Sequence, residues 1–253
     1  MNTLLKIVQL SDCHISKNAD AVYRGINPRE TLASLLPAVR EYGPDVLLVT
    51  GDLAEDGSDE VYGYLSELLA GFNVPILTIP GNHDRPLIQR GHFHQTPVDR
   101  PWVFDTAGWR LILLNSAIEK KITGGLSDRE LRELDKHLSS NTKPTLVVLH
   151  HQPVMVNAPW IDRFPLLEPE RFWSVVDAHS QVRAVLWGHV HHDFTGTRNG
   201  MQLLGSPSTA ANSLSGVDKF THDPAGPAFR WLNLVEDGRV ETGVSFPAAR
   251  ATG

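Results

Sequence analysis

The sequence predicts one α/β domain, built on either a mixed β-sheet or two facing sheets and covered by helices. The first observation is a series of short, continuously apolar runs rich in Val, Ile and Leu, which is typical of strands covered on both faces. The second is that helical patterns with capping signals separate several of these runs. The third is that 253 residues can bury a substantial core, and no repeat or linker divides the chain, so we expect a single domain over residues 1–253.

Six apolar runs predict the core strands. They are Leu4–Leu10, Val46–Thr50, Pro75–Ile79, Leu111–Leu114, Thr145–Leu149 and Val182–Trp187. Toward the C-terminus, Met201–Leu204 predicts a further strand, and residues 229–246 predict a hairpin that turns at Asp237-Gly238, a pair favoured in tight turns. We expect this hairpin to complete the second sheet of the fold. Residues 206–227 are rich in Ser, Gly, Pro and Asp and indicate a long loop.

Capping signals predict four helices between the strands. Asn27 is a favourable N-cap, and the proline that follows it suits the first helical turn because its φ is already fixed. Ser58 opens a second helix, and Ser127 with Glu130 three residues later has the pattern of a capping box for the third. Pro169 begins the fourth helix. Apolar residues follow each of these starts at helical spacing, which predicts one buried face per helix.

Composition and charge exclude several classes of function. Because 23 Lys+Arg stand against 29 Asp+Glu, the formal net charge is −6, and a broad basic surface for a nucleic-acid backbone is not expected. No apolar run is long enough to span a bilayer, and residues 1–6 lack the pattern of a signal peptide. Cys13 is the single cysteine, which rules out an intramolecular disulfide and suits a reducing compartment. We therefore expect a cytoplasmic protein that binds neither nucleic acid nor membrane.

Residues able to bind a metal follow five of the predicted strands. The candidate ligands are Asp12, His14, Asp52, Asn82, His150, His189 and His191. If these strands are parallel, their carboxyl ends meet at one edge, where ligands bind in open α/β sheets. Gly51, Gly81 and Gly188 precede three of the candidates and allow the backbone to turn sharply off each strand. Taken alone, each candidate is more often a turn, cap or strand-end residue, and only the complete set argues for a metal site.

The donor types indicate a particular metal chemistry. Carboxylate and amide oxygens with imidazole nitrogens, and no thiolate, suit divalent iron, manganese or zinc and disfavour a structural zinc site of the cysteine type. One carboxylate can bridge two ions, and paired ions serve phosphoester chemistry by binding both the attacking and the leaving oxygen. We therefore expect two divalent metal ions as cofactors and a small-molecule phosphoester as substrate.

Five short blocks occur in order along the chain, each at the end of an apolar run. They are Asp12-Cys13-His14, Gly51-Asp52, Gly81-Asn82-His83-Asp84, His150 and Gly188-His189-Val190-His191. In this order the blocks resemble the calcineurin-like metallophosphoesterase superfamily. Within it, the chain is most similar to the class III cyclic nucleotide phosphodiesterases of the bacterial cyclic-AMP type. The segments that carry this similarity are Gly43-Pro44-Asp45, His150-His151-Gln152-Pro153 and Gly205-Ser206-Pro207-Ser208-Thr209.

The resemblance implies a four-layer α/β/β/α sandwich with mixed sheets, a binuclear metal site and a homodimer. By matched motif, one metal takes Asp12, His14, Asp52 and His191. The other takes Asp52, Asn82, His150 and His189, so Asp52 bridges the two ions. By resemblance, His83 is not a ligand and faces the substrate phosphate. Other histidines are interpreted as lying outside the ligand set, His151 and His192 beside ligands and His92 and His94 in a solvated loop.

These assignments lead to a hypothesis for the reaction. A hydroxide that bridges the ions attacks phosphorus in line, while Asn82 and the metals stabilise charge on the phosphoryl oxygens. His83 protonates the leaving oxygen, and Asp84 orients His83. For cyclic AMP the leaving oxygen stays tethered, so the product is 5′-AMP. The expected catalytic residues are therefore His83, Asn82 and Asp52.

Other functions remain open from the sequence. The same metal core could serve another small diester such as a glycerophosphodiester, because substrate choice depends on loops 85–102, 152–168 and 206–227. In the second of these loops, Trp160 could flank a nucleobase, although packing is its default interpretation. A non-catalytic scaffold would have lost ligands, whereas every expected position is present. The net charge and the lack of a basic run argue against a nuclease.

Overall fold

The computed structural model describes residues 4–106 and 108–247, which form two β-sheets with helices on their outer faces. The strands are β1 (Leu4–Leu10), β2 (Val46–Thr50), β3 (Ile76–Ile79), β4 (Trp102–Asp105), β5 (Arg110–Leu113), β6 (Thr145–Val148), β7 (Val182–Trp187), β8 (Phe194–Arg198), β9 (Met201–Gly205), β10 (Phe229–Val235) and β11 (Val240–Ser245). The helices are α1 (Pro28–Tyr42), α2 (Asp59–Ala70), α3 (Pro86–His92), α4 (Asp128–Ser139), α5 (Pro159–Asp162) and α6 (Pro169–Val176).

Each sheet has a parallel centre and antiparallel additions. Sheet I has the order β11-β10-β1-β2-β3, and sheet II has the order β4-β5-β6-β7-β9-β8. Strands β1, β2 and β3 are parallel to one another, as are β5, β6, β7 and β9. The carboxyl ends of the parallel strands therefore share one edge within each sheet, which is where loops carrying ligands are expected.

The C-terminal hairpin lies in sheet I and not in the second sheet to which the sequence interpretation assigns it. Strand β10 pairs antiparallel with β1 from Leu4↔Val235 to Gln9↔Arg230, and β11 extends the sheet beyond it. This pairing covers an edge of β1 that would otherwise expose unpaired backbone groups. Pairing between the two ends of the chain is not encoded in any local pattern, so the hairpin is predictable from the sequence but its partner is not.

Alternate side chains of the central strands face different layers. In β2, Val46 and Leu48 pack between the two sheets, whereas Leu47 and Val49 pack in the cluster formed with α1 and α2. Strand β6 alternates in the same way between the inter-sheet core and the cluster that contains α4 and α6. Because both faces of these strands are buried, their sequences are continuously apolar. The layers follow the order α/β/β/α, which confirms the predicted architecture.

The elements that sequence patterns miss are short or lie at edges. Strands β4 and β8 are edge strands whose residues are exposed or half-buried, and neither has an apolar run as long as those of the core strands. Helix α3 has 7 residues and α5 has 4, too few to display helical periodicity. No helix in the described ranges has both the length and the apolar character needed to cross a membrane.

The N-terminus of α4 forms only half of the expected capping box. Ser127 accepts the Glu130 backbone N–H at 3.1 Å, as predicted. The Glu130 carboxylate, however, accepts the backbone N–H of Asn115 at 2.6 Å, at the end of β5. Glu130 is thereby buried against sheet II, with 4% of its surface exposed.

Candidate metal centre

The candidate ligands converge where the carboxyl ends of β1, β2, β3, β6 and β7 meet. Within sheet I, the backbone after β1 hydrogen-bonds to that after β2, since Asp12 N donates to Gly51 O at 3.0 Å. The two sheets are joined at this point, because the backbone N–H of His189 donates to both carboxylate oxygens of Asp12 at 3.0 and 3.1 Å. Residues separated by more than 170 positions thus contact each other directly.

Ligand atoms from both sheets lie close enough to share cations. The Nε2 atoms of His14 and His191 are 3.2 Å apart, and Asp12 Oδ1 lies 3.3 Å from His191 Nε2. Asp52 Oδ2 lies 3.5 Å from His150 Nε2 and 3.9 Å from His14 Nε2. Asp52 therefore stands between two groups of donors. Each of three groups has ligand atoms within 4.8 Å of one another: Asp12, His14 and His191; His14, Asp52 and His83; and Asp12, Asp52 and His150.

Three of the histidines direct the same ring nitrogen into the cluster. In each, Nδ1 is hydrogen-bonded to a neighbouring oxygen, so that Nε2 is turned toward the carboxylates. The bonds run from His14 to the Glu55 carboxylate (2.6 Å), from His150 to the Thr50 carbonyl (2.8 Å) and from His191 to the Ala211 carbonyl (2.7 Å). Such bonds orient a metal-binding imidazole and increase its basicity.

His189 has the opposite arrangement, because its Nε2–H donates to the Phe164 carbonyl at 3.0 Å and its Nδ1 is left free. Its ring lies 5.0 Å from that of His150. His150, His151 and His189 also have ligand atoms within 4.8 Å of one another, but both ring nitrogens of His151 have partners, Ser116 Oγ at 2.8 Å and the Ile122 carbonyl at 3.0 Å. His151 is therefore a structural residue around the site, in agreement with its sequence interpretation.

The backbone at five candidate ligands has positive φ. The residues are Asp12 (52°), His14 (47°), Asp52 (49°), His189 (67°) and His191 (51°). Non-glycine residues adopt this left-handed conformation rarely, at a cost of about 1–3 kcal/mol each. Such strain clusters at functional sites, where the surrounding structure holds a side chain in a direction that a relaxed strand end would not give it.

Glycines allow the loops of the site to approach one another. Gly51 has φ +91°, so it turns the chain off β2 as predicted. Gly81 and Gly188 have no such φ, and they are required for a different reason. A Cβ atom at Gly81 would lie 2.2 Å from Asp52 Oδ1, and one at Gly188 would lie 2.1 Å from Ser11 Oγ. Close packing around the carboxylates, and not a sharp turn, therefore explains these two residues.

The buried carboxylates of the cluster are held in their charged forms, and among the imidazoles His150 is held protonated, whereas burial lowers the pKa of His14 and His189. Burial acts to raise the pKa of Asp12, but the charge and hydrogen bond of His191 outweigh it and lower the pKa to about 2. Burial acts to lower the pKa of His150, yet the neighbouring Asp52 carboxylate raises it to about 9. The carboxylates are thus ionised with a compensating proton on His150, and divalent cations can take over that balancing role.

The donors present fit two divalent cations. Among the described residues, the buried atoms Asn82 Oδ1 and His150 Nε2 have no hydrogen-bond partner, although buried polar atoms are nearly always paired. The Asn82 oxygen and the His150 nitrogen can each donate an electron pair to a metal. Asn82 also lies close to Asp52, because its neighbours Gly81 and His83 both pack against that carboxylate. Oxygen and imidazole donors without thiolate are the set that iron, manganese and zinc accept.

His83 stands beside the donors with one ring nitrogen free. Its backbone N–H donates to Asp52 Oδ1 at 2.9 Å, and its Nδ1–H donates to the Glu55 carbonyl at 3.0 Å. The side chain is 34% exposed, which leaves Nε2 accessible to a substrate. Burial acts to lower the pKa of His83, but the carboxylates of Asp52 and Glu55 outweigh it and raise the pKa above its ordinary value.

Asp84 does not orient His83, contrary to the sequence hypothesis. Its carboxylate accepts the Tyr62 hydroxyl at 3.0 Å and three backbone N–H groups, those of Gly81 (2.9 Å), Leu53 (3.2 Å) and Ala54 (3.1 Å). Asp84 therefore ties the loop after β2 to the loop after β3. The orienting role falls to Glu55, which contacts both His14 and His83 and which sequence reasoning missed, since one acid among several in a loop has no distinguishing pattern.

The remaining histidines lie outside the cluster. His92 ends α3 and bonds to Asp59 at 2.9 Å, and His94 is exposed. His192 is buried next to His191, with Nδ1 bonded to the Val190 carbonyl at 2.7 Å. The hydrogen bonds of His92 and His192 therefore do not involve the candidate ligands.

Comparisons with known proteins agree with this geometry. A model of the calcineurin-like phosphoesterase family matches residues 5–193. The chain is 35% identical over 243 residues to 3′,5′-cyclic adenosine monophosphate phosphodiesterase CpdA of Pseudomonas aeruginosa, covering 94% of this chain and 89% of that protein. It is also 35% identical over 237 residues to a 3′,5′-cyclic-nucleotide phosphodiesterase of Nostoc sp., covering 92% and 89%.

Solved structures share the fold at low sequence identity. A dimetal phosphatase from Danio rerio has a TM-score of 0.67 at 15% identity, covering 95% of this chain and 98% of that one. The structure of TT1561 of Thermus thermophilus has a TM-score of 0.63 at 11% identity, covering 95% and 99%. The two-sheet architecture of this chain is therefore one that dimetal phosphatases use.

Proposed function

The chain belongs to the calcineurin-like phosphoesterase family, and from that premise we propose that it is a binuclear-metal phosphodiesterase that hydrolyses 3′,5′-cyclic nucleotides, converting cyclic AMP to 5′-AMP. The assignment of the substrate rests on the 35% identity to two cyclic nucleotide phosphodiesterases along more than 90% of the chain. The grouping of buried carboxylates and imidazoles around Asp52 supports the metal-dependent reaction.

Under this proposal, one ion is held by Asp12, His14, Asp52 and His191, and the other by Asp52, Asn82, His150 and His189. The support is that three histidines turn Nε2 toward the carboxylates, that His189 bonds through Nε2 and so has Nδ1 available, and that the Asn82 oxygen has no hydrogen-bond partner. We propose iron, manganese or zinc as the ions, because the donors combine oxygen with imidazole. When bound, such ions supply Lewis acidity to the phosphoryl oxygens and lower the pKa of water.

Residues around the site donate the proton that the leaving oxygen needs and stabilise the charge on the phosphoryl oxygens. Hydrolysis adds water across the P–O3′ bond, so that hydroxyl goes to phosphorus and a proton goes to O3′. His83 donates that proton from Nε2, since its Nδ1–H is engaged with the Glu55 carbonyl and its raised pKa favours the protonated form. The Asn82 side chain binds a phosphoryl oxygen and stabilises charge in the transition state. Glu55 holds the His83 ring in place.

The test is a substrate panel measured with metal-reconstituted protein. We expect kcat/KM for cyclic AMP to exceed that for a glycerophosphodiester and for a phosphomonoester, with 5′-AMP as the nucleotide product. Asp52→Asn serves as the inactive control, and elemental analysis should give two ions for the wild-type chain. A glycerophosphodiester turned over at least tenfold better than cyclic AMP would replace the proposed substrate.

Compartment and assembly belong to the same proposal. We place the protein in the cytoplasm as a homodimer that acts on a small-molecule substrate. The buried, unpaired thiol of Cys13 is consistent with a reducing compartment. Light scattering coupled to size-exclusion chromatography measures the assembly, and a mass of one chain at micromolar concentration would contradict the dimer.

A further inference from the structure

Three aromatic rings and an arginine lie beside the candidate metal centre, and we call them the aromatic wall: Tyr23, Arg24, Trp160 and Phe220. The Tyr23 ring stacks on His14 with centroids 4.0 Å apart and an interplanar angle of 9°. Trp160 and Phe220 meet the His191 ring edge-on at 6.0 and 6.2 Å. The wall thus begins at two candidate ligands and extends away from them.

A strained turn positions the first two members of the wall. Tyr23 and Ile26 exchange backbone hydrogen bonds of 2.8 and 3.1 Å, and the residues between them, Arg24 and Gly25, have φ of 47° and 85°. Two successive positive φ values define a tight turn of type I′, in which glycine is favourable and arginine is not. The turn holds the Arg24 guanidinium 3.8 Å above the centre of the Phe220 ring and 5.7 Å from that of Trp160.

The long loop that carries Phe220 is attached to the ligand His191. The backbone N–H of Ser213 donates to the His191 carbonyl at 2.9 Å, and the His191 ring donates to Ala211. The same loop is tied to the segment of α5, because Trp160 N donates to Val217 O at 3.3 Å and Gly216 N donates to Asn157 O at 2.8 Å. These bonds place Phe220 against Trp160, with ring centroids 5.3 Å apart.

The wall borders an open cavity of about 400 Å³, within the size range of small-molecule sites. Its lining consists of Arg24, Trp160, Arg163, Asp218, Lys219 and Phe220. Three cationic side chains stand against one carboxylate, so the lining is net positive although the whole chain carries −6. Flat rings with adjacent guanidinium groups suit a planar, electron-rich ligand.

We infer that the aromatic wall is a nucleobase site, in which the base of a cyclic nucleotide packs among Trp160, Phe220 and Arg24 while its phosphate lies at the metal centre. The inference rests on the proposed function for the position of the phosphate. In a 3′,5′-cyclic nucleotide the base is one ribose ring away from phosphorus, and the wall starts at His14 and His191. An aliphatic glycerophosphodiester has no planar group for this surface.

Kinetics with and without a base test the inference. The substrates are cyclic AMP and ribose 3′,5′-cyclic phosphate, which has the same phosphodiester and no base. In Phe220→Ala and Trp160→Ala, the ratio of kcat/KM for cyclic AMP to that for the abasic substrate should fall about 5- to 100-fold, the range that base–aromatic stacking supports. The loss should appear in KM, because stacking is equal in the ground state and the transition state.

Matched variants separate recognition from folding. Trp160→Phe keeps a stacking face and should retain most of the wild-type ratio. Phe246→Ala removes an exposed phenylalanine directly after β11, away from the wall, and should leave the ratio unchanged. Because Trp160 is half-buried against the core, Phe220→Ala on the loop is the safer variant, and its melting temperature is measured in parallel.

Equilibrium dialysis of adenosine against the protein gives a second readout, independent of turnover. Adenosine should bind the wild-type chain and bind Phe220→Ala about 5- to 100-fold more weakly. Equal binding by both proteins, or no binding by the wild type, together with an unchanged substrate ratio, would overturn the nucleobase site. If the wild type fails to hydrolyse cyclic AMP but adenosine binding still depends on Phe220, the proposed substrate is wrong and nucleoside recognition stands.

Discussion

Replacing Glu130 by glutamine should remove a pH dependence of folding stability that this buried carboxyl creates. Burial raises the pKa of Glu130 from its ordinary value of 4.5 to about 8, since the bond from Asn115 N–H compensates only in part and the charge of Asp99 adds to the shift. The folded protein therefore binds a proton that the unfolded chain has released. The free energy of unfolding is highest below about pH 4.5 and falls as pH rises to about 8.

The size of the effect follows from the two pKa values. At about 1.4 kcal/mol per pH unit, the interval from 4.5 to about 8 corresponds to roughly 5 kcal/mol. Glu130 also lies in the first turn of α4, where the helix dipole favours the ionised form by up to about 1 kcal/mol. Between pH 5 and pH 9 we therefore expect the wild-type chain to lose about 3 kcal/mol relative to Glu130→Gln.

The assay is urea unfolding followed by circular dichroism, with both proteins at saturating metal. Glutamine keeps the shape and the acceptor oxygen for Asn115 N–H but does not titrate. Contributions from the metal ligands are common to both proteins and cancel in the difference. A difference in free energy of unfolding that stays constant from pH 5 to pH 9 would refute the reasoning, since it would mean that Glu130 ionises normally in the folded state.

Two further predictions concern the site. His83→Asn should retain two ions and lose about 10²- to 10⁴-fold in kcat on cyclic AMP, with a smaller loss on an aryl diester whose leaving group needs no proton; a parallel loss of metal content would show that His83 is a ligand instead. Gly188→Ala should weaken metal binding about 10- to 100-fold in a chelator competition, because its Cβ would lie 2.9 Å from Asp12 Oδ2. Gly91→Ala, which has open space around it, is the control, and equal affinities of the two variants would contradict the packing explanation.

Local sequence patterns were sufficient to predict most of the strands and helices. Apolar runs located the core strands, and Asn27, Ser127 and Pro169 located helix starts that the structure confirms. Strands β4 and β8 were not predictable, because an edge strand that is half exposed needs no apolar run. The partner of the C-terminal hairpin was also not predictable, since β10 pairs with a strand at the other end of the chain.

The candidate site also has features that the sequence predicted and features that it did not. The ligand types and their position after each strand are local properties, so Asp12, Asp52 and His150 could be named from the sequence. The role of Glu55, the actual contacts of Asp84 and the meeting of Tyr23 with Phe220 through Arg24 could not. Each depends on loops that are distant in the chain and adjacent in space.

By itself, the sequence determined which residues form strands and helices and which side chains can bind a metal. Tertiary structure decided which of them meet: it brought His189 to Asp12 across two sheets and placed Phe220 and Trp160 beside His191. The physical reason is that strand and helix patterns arise from interactions within a few residues, whereas contacts between distant loops depend on how both sheets pack.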